Sequence, residues 1–293
     1  MLTDPFYVPR SLNSNGTLVS LERPIVMGII NLTTDSFYEG SRAMREEKII
    51  ERAGQMIAEG ATFLDLGAMS TRPGATELEE GIEMERLHLA CSCIRSRFPD
   101  VLLSIDTYRV SVLEAMKNYG IHLVNDITGG GEGEIWEWAG QHKLPYILMH
   151  MKGTPRTMNS LAQYDDLIRE MLDYFILRIP LLLNKGIHDI ILDPGFGFAK
   201  TVDQNYFLLK NLHVLKLLEF PMLVGLSRKS MIWKTLGINP EDALHGTTAL
   251  HMQALNAGAR LLRVHDVRAA SDTVRVWEKL QRSAPENTYF RPL

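Results

Sequence analysis

The chain has very little cysteine, and what it has cannot staple a fold. Cys91 and Cys93 are the only two among 293 residues. They stand two apart in a stretch that reads as helix, where i and i+2 side chains face different ways, so no disulfide is expected between them. Without a cysteine framework the expected compartment is reducing and cytoplasmic. No apolar run reaches the roughly 18 residues of a spanning helix, and 1–10 lack the basic-then-apolar pattern of an export leader, so no membrane association is expected. An excess of one charge is also missing. Lys and Arg total 31 against 35 Asp and Glu, a net charge of −4, which gives no general pull toward nucleic acid or anionic lipid. A bound anion would have to be held by a local group of cations. Nor does any linker or change of composition divide the chain, so 1–293 is expected to be one domain with its own core.

From Pro24 onward, short runs of β-branched and apolar residues alternate with longer amphipathic stretches, the pattern of repeated βα units. Strands are expected at 25–30, 63–66, 102–105, 122–125, 145–149, 189–192, 222–225 and 261–264. Helices are expected at 45–59, 77–97, 110–119, 135–142, 165–185, 203–218, 240–257 and 269–281. Gly60, Gly120, Gly186 and Gly258 stand where helix C-caps belong. Eight such units fit the α/β class and a closed (β/α)8 TIM barrel better than an open sheet. Asn15-Gly16 between short alternating runs is a hairpin signal. Residues 1–23 are therefore read as an N-terminal β-hairpin closing the barrel bottom, 24–281 as the barrel and 282–293 as a tail.

In such barrels the chemistry lies at the C-terminal rim, just after each strand. There the sequence places Asn31-Leu32-Thr33-Thr34-Asp35-Ser36-Phe37, then Gly67-Ala68-Met69-Ser70-Thr71-Arg72-Pro73-Gly74, then Asp106, Asn125-Asp126, His150, Asp193, Lys229 and Arg263-Val264-His265-Asp266. Any one of these could simply cap the following helix. Caps alone have no use for the cations. Two carboxylates, an amide and a lysine converging on one rim suit a flat heterocycle with a 2-amino-4-oxo edge. Arg72, Arg263 and His265 suit a phosphate or pyrophosphate. The glycine-rich runs 195–200 and 129–133 lack the spacing of a phosphate loop or a dinucleotide fingerprint, and no His or Cys cluster has zinc spacing.

Five segments carry a resemblance: 27–37, Ser70-Thr71-Arg72-Pro73-Gly74-Ala75, Asp193-Pro194-Gly195-Phe196-Gly197-Phe198, Ser227-Arg228-Lys229-Ser230 and Arg263-Val264-His265-Asp266. In this order and spacing they resemble the signatures of the dihydropteroate synthase family, over about 24–280. The resemblance implies condensation of 6-hydroxymethyl-7,8-dihydropterin pyrophosphate with 4-aminobenzoate, giving 7,8-dihydropteroate and pyrophosphate in folate biosynthesis. It implies a pterin pocket of Asp106, Asn125, Met149, Asp193, Gly225 and Lys229. Pyrophosphate would be held by Asn31, Thr71, Arg72, Arg263 and His265, with Asn31 also a ligand of Mg²⁺. The 4-aminobenzoate site would comprise Phe37, Thr71, Arg72, Pro73, Phe198, Lys229 and Ser230, a site at which sulfonamides should compete. Catalytic roles fall to Asp35, Lys229, Arg263 and His265 in an SN1-like reaction, and a homodimer through the later helices is implied. Two departures stand out: Thr34 where the family has proline, and Ala68-Met69 where it has glycine and glutamate. They leave one alternative, a pterin-binding paralogue with weak or altered catalysis.

Overall fold

The computed structural model describes residues 8–33, 42–69, 78–129, 131, 133–154, 157–158 and 160–283. It opens with the antiparallel hairpin of β1 (Ser11–Ser14) and β2 (Thr17–Ser20). Asn15 and Gly16 at its turn both have positive φ, 50° and 83°, as a tight two-residue connection requires. Eight parallel strands follow: β3 (Ile25–Asn31), β4 (Phe63–Gly67), β5 (Leu102–Asp106), β6 (Ile121–Asp126), β7 (Tyr146–Met149), β8 (Ile190–Asp193), β9 (Met222–Val224) and β10 (Ala259–Val264). Each pairs with the next, and β10 closes onto β3. Around them lie α1 (Arg42–Ala58), α2 (Glu80–Arg97), α3 (Val110–Met116), α4 (Glu134–Gln141), α5 (Leu167–Asn184), α6 (Val202–Lys210), α7 (Ser230–Leu236), α8 (Leu244–Asn256) and α9 (Val267–Arg282). The architecture is the expected (β/α)8 barrel.

The pleat decides what the barrel encloses. Successive side chains on a strand point to opposite faces, so outward residues such as Val26, Leu64, Val124 and Leu262 join the helices in the main core. Inward at the N-terminal end, Met27, Phe63, Leu123, Ile147, Ile191, Leu223 and Leu261 form a separate apolar plug with Leu12, Val19 and Leu21 of the hairpin. Ser14 Oγ also donates to the carbonyl of His122, tying the hairpin to β6. One step of two further along six of these strands, the same face carries Asp65, Asn125, Met149, Asp193, Gly225 and Arg263. An apolar floor thus gives way to a polar storey one residue pair higher.

The helical expectations need three corrections. The unit after β9 does not begin as rim loop: α7 starts at Ser230, ends at Gly237 with φ 66°, and is followed by a 3-10 turn, Pro240–Asp242, before α8. The expected helix at 240–257 omitted α7 altogether, and Pro240 opens a 3-10 turn where that helix was expected to begin. The expected helix at 203–218 is α only to Lys210, then continues as a 3-10 turn, Leu212–Leu218. The expected helix at 110–119 likewise ends as α at Met116, with a 3-10 turn, Lys117–Tyr119, before Gly120. Cys91 and Cys93 are free thiols.

Candidate active site

Asp106, Asn125, Met149, Asp193, Phe198, Gly225, Lys229 and Arg263, all singled out from the sequence, line one cleft at the C-terminal end of the barrel, joined by Ile127 and Phe196. The cleft volume is about 40 Å³. Each polar member is committed to the cleft rather than to a helix cap. Asn125 Nδ2 donates to Asp65 at 3.0 Å, and Asp106 accepts from Arg263 at 2.6 Å. Asp193 Oδ1 takes the Gly195 N–H at 2.8 Å. Asp266, at the start of α9, makes no cap bond; both its carboxylate oxygens hold Arg228.

Asp65 is the residue that reading the strand ends overlooked. It lies inside β4, fully buried, and accepts from Ser104 Oγ at 2.6 Å, Asn125 Nδ2 at 3.0 Å and Arg263 Nε at 2.6 Å. Its signal was in the chain: a lone carboxylate two residues after inward-facing Phe63, in an otherwise apolar strand. Arg263 therefore sits between two carboxylates. Burial works against its charge, but Asp65 and Asp106 outweigh that and hold it more firmly protonated than an ordinary arginine. Burial pushes Asp106 up to about 7, against the pull of Arg263 and with Asp65 adding to the rise. Burial also raises Asp193, opposed by the Gly195 N–H and by Lys229. The Lys229 ammonium is lowered to about 8 by burial and by Arg263. Its Nζ lies 4.3 Å over the Phe198 ring, a cation–π contact. Asp106, with its proton poised near neutral pH, beside a lysine lowered to about 8 makes a site that can donate as well as accept.

The loop after β8 is pinned from beneath by Lys200, a second residue the sequence reading did not use. Buried Nζ contacts His150 Nδ1 at 3.1 Å and the carbonyls of Gly195 and Phe198 at 3.0 Å each. Gly195 has φ 67°, and a Cβ there would stand 2.1 Å from the His150 carbonyl. Only glycine permits that approach. His150 itself is held neutral, lowered to about 2 by burial and then by Lys200.

At the rim, His265 follows Arg263 by two and faces Ser227, whose Oγ lies 3.0 Å from Nδ1 and accepts the His265 N–H at 3.2 Å. Burial, Arg228 and Arg263 lower this imidazole to about 4, so at neutral pH it is an uncharged donor. Asn31 ends β3 exposed, opposite Gly67 of β4, and Ser230 opens α7 directly after Lys229. Asn31, Ser230 and His265 stand outside the cleft lining. Thr34, Asp35, Phe37, Thr71, Arg72 and Pro73 lie outside the described residues. The two segments that contain them leave from a shared anchor, because buried Arg86 donates to the carbonyls of Leu32 and Ala68 at 3.1 and 3.4 Å.

A cleft rich in acceptors, with one lysine and one arginine, at the C-terminal rim of a closed barrel defines an enzyme for a flat heterocycle that presents N–H donors. Comparison with known proteins narrows the class. Residues 27–265 match the family described as pterin binding enzyme. Dihydropteroate synthase of Escherichia coli K12 is 40% identical over 281 residues, spanning 95% of this chain and 99% of that one. The Yersinia pestis dihydropteroate synthase, solved as a sulfonamide drug complex, superposes with a TM-score of 0.87 at 38% identity, covering 93% of this chain and all of that one. The Thermus thermophilus enzyme, solved with 4-aminobenzoate, gives 0.84 at 38% identity, with 92% and 100% coverage. The same enzyme has also been solved with 6HMPPP, at a TM-score of 0.81, 35% identity and coverage of 93% and 100%. The chain belongs to the dihydropteroate synthase family of pterin-binding enzymes.

Proposed function

We propose that this chain joins 6-hydroxymethyl-7,8-dihydropterin pyrophosphate to 4-aminobenzoate, releasing pyrophosphate and 7,8-dihydropteroate in folate biosynthesis. The observation that carries the reading is the convergence of Asp106, Asn125, Asp193, Lys229 and Arg263 on one cleft, in a family whose Thermus member has been solved with each substrate-side molecule. The two carboxyls and the Asn125 oxygen accept the pterin's N–H edge, Lys229 donates to its carbonyl, and Met149 packs against the ring. The open space at Gly225, where a Cβ would meet no atom of the described residues within 4 Å, receives the ring itself.

The reaction breaks the bond between the pterin methylene carbon and the pyrophosphate oxygen, and its electron pair leaves with pyrophosphate. The 4-aminobenzoate nitrogen then supplies the pair for the new C–N bond and loses a proton. Because the pterin ring can delocalise the developing cation, we read the route as SN1-like, with Asp35 stabilising that cation. Arg263 and His265 steady the leaving group, together with Asn31, Thr71 and Arg72. The arylamine is neutral and needs only positioning, supplied by Phe37, Thr71–Pro73, Phe198, Lys229 and Ser230. Asn31 offers one neutral oxygen at an exposed strand end, and among the described residues no cluster of three His, Cys, Asp or Glu could hold a metal. That donor set fits Mg²⁺ held mainly by phosphate oxygens and water, where it would draw charge from the departing pyrophosphate.

By the same reading sulfonamides compete with 4-aminobenzoate here. The protein works in the cytoplasm, with its two free thiols and no described helix long and apolar enough to cross a membrane. It pairs as a homodimer through the apolar groove between α8 and α9, where Ala249, Met252, Ala269 and Val276 line the opening. Sedimentation that returns only monomer at micromolar concentration would refute the pairing. The function is tested by pyrophosphate release and direct detection of dihydropteroate, omitting each substrate and Mg²⁺ in turn. Turnover that needs all three supports it; tight pterin binding without product would favour the pterin-binding paralogue with weak or altered catalysis.

A further inference from the structure

We propose that Asp65 is a positioning residue that sets the ligand selectivity of the cleft by fixing which way the Asn125 amide faces. The inference rests on the pterin reading above and deepens it. A carboxylate only accepts hydrogen bonds. Asn125 must therefore turn its NH₂ toward Asp65, 3.0 Å away, and present its carbonyl oxygen to the cleft that it lines. The same Asp65 oxygen takes Arg263 Nε at 2.6 Å, so that donor is also withdrawn from the ligand. The other Asp65 oxygen is held by Ser104 Oγ at 2.6 Å, and both Asp65 and Ser104 are fully buried, which keeps water from substituting for any partner. Strand register makes the arrangement stiff: Asp65 is the direct neighbour of Ser104, and Asn125 pairs with Asp106 on the next strand. The result is a wall at Asn125 that accepts, and so selects a heterocycle bearing an exocyclic amino group over one that lacks it.

The alternative role for Asp65 is charge balance for Arg263 alone. Two substitutions separate the roles. Asp65→Asn removes the charge, but its carbonyl can still accept from Asn125 and Arg263 while its amide donates to Ser104. Asp65→Leu removes both charge and acceptor and frees the Asn125 amide to turn. The measurement is the ratio of dissociation constants for 6-hydroxymethylpterin and its 2-desamino analogue, by titration calorimetry on the full chain. Wild type should prefer the amino compound by about tenfold or more, the usual scale for an unpaired buried polar group. Asp65→Asn should keep that ratio within about twofold and Asp65→Leu should lose most of it, on the same scale.

Equal loss in both variants, or retention in Asp65→Leu, overturns the proposal. If Asp65→Leu does not fold, the pair Ser104→Ala and Asp65→Asn/Ser104→Ala decides. A carboxylate accepts from either oxygen, so the single change should keep the ratio, whereas the double change unmoors the new amide and should lose it. Retention in the double variant refutes the inference. Wild type that binds neither pterin overturns the functional reading, and this one with it. Wild type that discriminates while every variant also does overturns this one alone.

Discussion

Replacing Lys200 with methionine should separate stability from function, and the structure says by how much. Three buried acceptors lose their donor: His150 Nδ1, the Gly195 carbonyl and the Phe198 carbonyl. At about 1 to 3 kcal/mol for each buried group left unpaired, that loss is several kcal/mol. Opposing it is the relief of an ion held where it is poorly solvated. Burial lowers the ammonium from its ordinary 10.5 to about 7, with Lys229 and Lys152 pushing the same way and Asp193 resisting. At about 1.4 kcal/mol per pKa unit the relief is on the order of 5 kcal/mol. The two terms are of one size, so at pH 6 the net change in unfolding free energy should stay within about 2 kcal/mol. The balance then shifts with pH. Between about 7 and 10.5 the unfolded chain binds the proton that folded Lys200 has released, so wild-type stability gains from this residue as pH rises. Methionine abolishes that gain, and the variant should lose about 2 kcal/mol relative to wild type between pH 7 and pH 9. Urea unfolding at the three pH values measures this. Turnover should fall regardless, mainly as a higher KM for 4-aminobenzoate, because Phe198 and Gly195 lose the anchor that positions them. A destabilisation that does not change with pH would refute the linkage, and an unchanged KM would refute the anchoring role.

Lys229→Ala should keep less than about a hundredth of normal turnover, the scale of losing one electrostatic partner of a transition state; near-normal rates would remove Lys229 from the mechanism. Gly225→Ala should fold as well as wild type or about 0.4 to 1 kcal/mol better, since the new Cβ meets no atom of the described residues within 4 Å. Its affinity for the pterin should nevertheless drop by about tenfold, the cost of a methyl in a fitted site, and calorimetry with a melting curve tests both halves. Protonation of three buried imidazoles should also weaken the fold in acid. His150, His251 and His265 are held neutral, lowered to about 2, 4 and 4, so their contribution is complete above about pH 6.5 and is lost as pH falls below it. Asp106, raised to about 7, and Asp193, Glu83 and Asp189, also raised by burial, act the other way, so removing one imidazole at a time isolates the histidine part. His251 Nε2 has no hydrogen-bond partner among the described residues, so His251→Leu should gain about 2 kcal/mol relative to wild type between pH 7 and pH 5, read from urea midpoints.

What could be read from the chain and what could not divides along a physical line. Strand positions were legible because β-branched runs and C-capping glycines are local signals; Gly60, Gly120, Gly186 and Gly258 all take the positive φ expected of them, 101°, 69°, 87° and 105°. The break of the last-but-one unit into α7 and α8 was not, since a short helix that runs only from Ser230 to Leu236 has no period long enough to show. The cleft was legible where its lining falls at or just after strand ends, as at Asp106, Asp193 and Lys229. It was hidden at Asp65 and Lys200, whose importance lies in partners 39 to 198 residues away for Asp65, and 50 residues away at His150 for Lys200.

The two hidden residues explain why the visible ones work. A cleft of carboxylates and cations in a barrel core would neutralise itself by internal pairing if its members were free to turn. Here Arg263 is satisfied by Asp65 and Asp106, and the Asn125 amide by Asp65. Lys200 is satisfied by His150 and two loop carbonyls. Each of these bonds consumes a donor that would otherwise compete for the cleft's acceptors. What remains for a ligand among the described residues is the Asn125 oxygen, the Asp106 oxygen that Arg263 does not hold, with a proton poised near neutrality, and Lys229 above the Phe198 ring. The specificity of the site is thus built one layer beneath it, on the inward face two residues above the apolar floor. Exchanging the visible residues for those of another pterin-using barrel, with Asp65 left in place, should therefore still yield a cleft whose Asn125 wall accepts.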